Sequence, residues 1–84
     1  MSDTLLTLIG KPGCHLCDDA RIVVDRVLAD FPDVTVEERS ILDDAELSRA
    51  YSEEIPVVMI DGRVHTIWRV DEARLRDALA EASR

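Results

Sequence analysis

No stretch of the sequence approaches the ~20 consecutive apolar residues that a membrane-spanning helix requires, so no membrane association is expected. Lysine is almost missing: there is one, against nine arginines. These ten basic residues face eighteen acidic ones, for a net charge of −8. A chain so acidic cannot assemble a basic face to neutralise phosphates, which excludes nucleic acid as a partner. Glycine and proline number three each, and no low-complexity segment, internal repeat or linker interrupts the chain. With 84 residues there is room for one core and one domain, residues 1–84. Met1-Ser2-Asp3-Thr4 has no basic leader, and Leu5–Ile9 is too short and too strand-like for a signal peptide. A cytoplasmic location is therefore expected, and with it a reducing environment.

Cysteine is scarce too, with two in the chain. Three positions apart in a reducing compartment, Cys14 and Cys17 read as catalytic or metal-binding rather than structural.

What is present alternates between two periodicities. Thr4–Ile9 is a short apolar run halted by Gly10-Lys11-Pro12-Gly13, a buried strand followed by a loop. Cys14 then opens a helical pattern. Leu16, Ala20, Val23, Val24, Val27 and Leu28 form one apolar stripe, with Arg21/Asp25 and Arg26/Asp30 one turn apart on the solvent side and Pro32 as the stop. Val34–Glu38 alternates as a second strand. A second helix to about Tyr51 follows, with Asp43 as cap, Glu46 three residues on and Leu42 stapled against Leu47. Ile55–Ile60 is a third strand, Asp61-Gly62 a hairpin turn and Val64–Trp68 a fourth strand. Asp71 caps a last helix whose Leu75, Ala78, Leu79 and Ala82 share a face. The order βαβαββα predicts an α/β fold with a four-stranded mixed sheet flanked by helices on both faces. Strands joined through helices are expected to pair parallel, and the last two antiparallel. Cys14 then falls at a helix N-terminus beyond the carboxyl end of a strand, where such sheets carry their chemistry.

The thiolate, not the thiol, attacks disulfides. Helix N-terminal N–H groups favour a Cys14 thiolate, and Lys11 and a protonated His15 add to that potential while Asp18 and Asp19 oppose it. The spacing assigns roles: Cys14 is the exposed attacker and Cys17, one turn inward, the resolving thiol. Zinc would need four ligands, and beyond the cysteines only His15 and His65 are candidates. His15 points away from the pair, so no complete metal site is expected within one chain. Haem attachment needs histidine directly after the second cysteine, where Asp18 stands. Pro56, at the start of a central-looking strand, reads as a strand-initiating trans proline or as a cis proline beside the cysteines. The second reading leaves the Ile55 backbone free for an extended thiol substrate, and the element order favours it. Trp68, the single tryptophan, could stack on a substrate but reads better as a packing residue at the core rim; His65 reads as a surface residue of the last strand, and Tyr51 as packing against the Ile55 loop.

Gly-Lys-Pro-Gly-Cys-His-Leu-Cys after a first strand, Tyr51 before Ile55-Pro56-Val57, and the Asp-Gly hairpin resemble the glutaredoxin-like proteins of the thioredoxin superfamily. More narrowly, they resemble the small bacterial group with a Cys-x-Leu-Cys active site. The resemblance covers nearly the whole chain. It implies a thioredoxin-like fold and a thiol–disulfide oxidoreductase with Cys14 as nucleophile, Cys17 as resolver and Pro56 as the cis proline. By that likeness Lys11 and Ile55 line the substrate groove; His15, Leu16 and Pro56 are expected to contact substrate as well. No bound cofactor is implied. Substrates would be protein or low-molecular-weight thiols and disulfides, electrons would come from glutathione or a reductase, and the chain would act as a monomer. Two departures stand out. His15 and Leu16 replace the proline and aromatic usual between the cysteines, and Trp68-Arg69-Val70-Asp71 replaces a Gly-Gly pair with its acidic residue, so glutathione as reductant is not implied by the motif itself. The competing expectations are a thiol-based zinc or iron–sulfur module, completed between two chains, and a non-catalytic adaptor of the same fold.

Overall fold

A computed structural model of the chain describes residues 4–82; the first three positions, on which the expectation of no leader rests, lie outside them. Seven elements follow one another: β1 (Leu5–Gly10), α1 (His15–Leu28), β2 (Thr35–Ser40), α2 (Ala45–Tyr51), β3 (Val57–Ile60), β4 (Arg63–Ile67) and α3 (Glu72–Ala82). The strands form one mixed sheet in the order β2-β1-β3-β4. As a central strand, β1 is buried on both faces, which is why it reads as a continuous apolar run rather than an alternating one. Its Leu6 and Leu8 pack with Val58 against Ala20, Val24 and Val27 of α1 and Leu75 and Leu79 of α3. On the opposite face, Ile9 and Val57 meet Ile41, Ile55 and the Leu47 and Tyr51 side of α2. Helices therefore flank both faces, and Tyr51 packs with Ile55 as its sequence context suggests.

The strand pairing corrects one expectation. β1 and β2 are parallel, but β3 runs antiparallel to β1, with Ile9 opposite Val57. Helix length explains the difference. The fourteen residues of α1 extend about 21 Å, enough to return the chain along a six-residue strand of roughly 20 Å. The seven residues of α2 cover only about 10 Å. β3 therefore starts at the sheet end where β2 stops and must run the other way.

Local chemistry corrects further details. The cap of α2 is Asp44, not Asp43: its Oδ1 accepts from the backbone N–H groups of Glu46 at 2.9 Å and Leu47 at 3.3 Å. Asp43 is committed to a turn, its own N–H donating to the Ser40 carbonyl at 3.1 Å. Leu42 stands 70% exposed rather than stapled on Leu47. α1 ends at Leu28, with Ala29 as its C-cap, four residues before Pro32. Arg21 does reach Asp25, loosely at 3.9 Å, but Arg26 pairs with Glu72 at 3.0 Å instead of Asp30, and Asp30 pairs with Arg76. Arg76 also reaches Glu72 at 3.2 Å, so alternating charges tie the end of α1 to α3. The two arginines, Arg26 first, hold the Glu72 carboxyl below its ordinary range. Asp71 caps α3 as expected, accepting from the Arg74 N–H at 3.0 Å. Asp61 and Gly62 both take positive φ, 52° and 84°, the conformation that lets a tight hairpin match strand twist.

Leu75 is wholly buried between sheet and helices. Leu75→Ala is expected to cost about 2–5 kcal/mol through lost transfer energy and the residual cavity, read as a fall in the denaturation midpoint without a change in slope.

Candidate active site

Cys14 is the N-cap of α1, in extended conformation at φ −94° and ψ 115°. Gly13, immediately before it, adopts φ 78°, a left-handed turn that swings the chain off β1 and into the helix at little steric cost. The side-chain role that Ser or Asp usually plays at such a position is taken here by sulfur, since the Cys17 backbone N–H donates to Cys14 Sγ at 3.3 Å. The pairing of a partly exposed Cys14 with a buried Cys17, both as free thiols, follows from helix geometry: three residues on, Cys17 points inward toward Ile9 and Ile41.

The Cys17 sulfur rests on the end of β1. An added Cβ on Gly10 would lie 2.8 Å from Cys17 Sγ, closer than real Cβ atoms approach, and a tight 3.2 Å from its Cβ. Gly10 therefore leaves the space that the second sulfur occupies, a role with no signal in the sequence. Burial above all, and then the hydrogen bond between the two thiols, pushes the Cys17 pKa up to about 11, while the Lys11 backbone N–H on its sulfur opposes the rise. Cys17 is thus a protonated donor to Cys14 at neutral pH.

Ile55 packs with the pair, and Pro56 after it is fully buried. Ile55 is buried in the cluster that holds Cys17 and against which Cys14 packs, and the Ile55–Pro56 peptide bond is cis rather than trans. β3 begins only at Val57, so Pro56 precedes the strand. His15 and Lys11 are exposed. Lys11 lines a cleft of about 340 Å³ with Cys17, Arg21 and Ser40, on the β2 side of α1. Leu16, 38% exposed, lies instead on a second cleft of about 210 Å³, with Asp19, Val23, Trp68 and Arg69. Of the residues expected to contact substrate, Lys11 and Leu16 thus lie on different clefts, and His15, Ile55 and Pro56 line neither. His65 lies on β4, its pKa lowered by partial burial and then by Arg74. Among the described residues no three His, Cys, Asp or Glu side chains gather as a metal site.

Trp68 departs from its expected place at the core rim. It is 52% exposed and has φ 68°, left-handed backbone that is an outlier for so bulky a residue and costs of order 1–3 kcal/mol. A three-residue turn holds it there, closed by the Arg69 N–H on the Ile67 carbonyl at 2.8 Å. Its own N–H donates to the Pro56 carbonyl at 2.8 Å, and its indole N–H to the Glu53 carbonyl at 3.1 Å. One residue thereby fastens the 53–56 turn to the end of β4.

A four-stranded sheet of this order, with a cysteine pair at the first helix start and a cis proline just ahead of β3, defines a thioredoxin-fold protein with a thiol-redox-type site. The chain belongs to the Glutaredoxin-like domain (DUF836) family, which matches residues 5–80. The solution structure of the structural-genomics target XcR50 from X. campestris is similar, at 35% identity and TM-score 0.74 over 98% of this chain and 96% of that one. A mutant thioredoxin from Halobacterium salinarum shares the fold, with TM-score 0.73 at 23% identity over 99% and 77% of the two chains. A protein of Mycobacterium tuberculosis named as uncharacterized is 28% identical, covering 99% of this chain and 90% of that relative.

Because the Cys17 pKa is raised, its thiolate fraction at neutral pH is small and grows about tenfold for each pH unit below the pKa. Alkylation of Cys17 in a Cys14→Ser chain should accordingly rise through pH 7–9 without levelling. A midpoint at or below the free-thiol value of about 8.5 would contradict the burial of this sulfur. Gly10→Ala should displace Cys17 Sγ outward and speed that alkylation at fixed pH; an unchanged rate would show that the sulfur does not rest against Gly10.

Proposed function

We propose that this protein is a thiol–disulfide oxidoreductase in which Cys14 attacks and Cys17 resolves. The observation that carries this reading is the asymmetry of the pair: a partly exposed sulfur at the helix start, and a buried, protonated one a turn inward whose backbone N–H donates to it at 3.3 Å. Charge that develops on Cys14 meets two donors, the Cys17 N–H and the Cys17 thiol. Cys14 as thiolate attacks one sulfur of a substrate disulfide, forming a mixed disulfide and expelling the first substrate thiolate. Cys17, losing its proton to solvent, attacks the Cys14 sulfur and expels the second thiolate. The substrate gains two electrons, the protein is left with a Cys14–Cys17 disulfide, and an external dithiol or two monothiols such as glutathione must restore it. The partly exposed Cys14 thiol supports protein as well as small disulfides as substrates.

The test is a pair of variants. Cys14→Ser should reduce disulfide turnover to background, whereas Cys17→Ser should accumulate a mixed disulfide with the substrate, seen as an added mass on the intact chain. Equal residual activity in both variants would reject these roles. The potential of the pair is expected within the roughly −270 to −120 mV range of comparable folds.

A further inference from the structure

We propose that Trp68 is the residue that selects protein substrates, receiving on its ring a large apolar side chain next to the attacked cysteine of an extended, basic segment; this rests on the disulfide-exchange reading above. Four observations lead there. First, the ring is half exposed, yet both N–H groups of the residue are spent on the 53–56 turn, so the indole is held in place before anything binds. An aromatic ordered in advance offers contact area without the entropy cost of immobilising it on binding. Second, the backbone at Trp68 takes a left-handed conformation, φ 68°, that glycine would adopt without strain. A strained conformation maintained for a bulky side chain points to a use for that side chain.

Third, Trp68 and Leu16 line a cleft of about 210 Å³, a size suited to one side chain rather than to a whole small-molecule ligand. Leu16 lies two residues from Cys14 and shares the cleft with Trp68, so a segment whose cysteine reaches Cys14 comes within reach of both. Fourth, the rim is acidic. Asp19 lines the cleft, the exposed Glu53 accepts the indole N–H beside it, and the chain as a whole carries −8; Arg69 is the one cation on the cleft wall. An apolar side chain flanked by arginine or lysine complements this surface, while an acidic segment would be repelled.

Discrimination between peptides measures this directly. Two disulfide-linked peptides differing only in Phe or Gly beside the cysteine, each with arginine on the far side, serve as substrates. In the wild-type chain the Phe peptide should be preferred by about tenfold in kcat/KM, through KM. Trp68→Gly, which suits the backbone, should bring the ratio to within about twofold of unity, whereas Trp68→Phe, which retains a ring, should keep a clear preference. A wild-type ratio near unity, or a ratio unchanged in Trp68→Gly, would overturn the proposal. Trp68 is also the only tryptophan, so its fluorescence reports the cleft without turnover. In a Cys14→Ser/Cys17→Ser chain, the S-methylated Phe peptide should shift the emission and the Gly peptide should not. If turnover is absent but the shift occurs, exchange chemistry fails and recognition stands; if neither peptide shifts the emission, recognition fails.

Discussion

The site depends on one close approach, that of the Cys17 sulfur to the end of the central strand at Gly10. Because no Cβ stands there, α1 can start directly over the strand end with its second cysteine directed inward. Burial then raises the Cys17 pKa and leaves its thiol protonated as a donor to Cys14. Concealment of the second sulfur therefore rests on this packing contact, while helix geometry leaves the first partly exposed. The helix supplies the rest, since its first turn leaves N–H groups without intrahelical acceptors and Cys14 Sγ takes one of them.

Around that contact the fold divides its labour between the two faces of the sheet. The α1–α3 face holds the larger cluster and is tied at its edge by the Arg26, Glu72, Arg76 and Asp30 charges. The α2 face holds the smaller cluster, which includes Cys14, Cys17 and Ile55. The site thus lies where packing is thinner and groups can reach solvent. Trp68 links the two regions: it follows β4, anchors the 53–56 turn and lines the cleft beside α1.

The short range over which residues act explains the corrections. Asp43 and Asp44 are equivalent as cap candidates until the Ser40 turn claims one of them. Arg26 has two acids within reach, and only the packing of α3 on α1 brings Glu72 to it. The direction of β3 follows from the length of α2 measured against the strands, a comparison that hydrophobic periodicity does not make.

The order of the elements, the cysteine pair at a helix start and the unusual placement of Pro56 are all legible in the chain, because periodicity, helix punctuation and proline's missing N–H are local properties. The same residues point to thiol chemistry on their own. Three things required tertiary structure: the room that Gly10 leaves for Cys17, the cis geometry at Pro56, and the left-handed Trp68 with its indole fixed to Glu53. The first and the last are relations between segments separated in sequence, set by which backbones come to lie against one another. A side chain's identity carries no record of that until the sheet has closed.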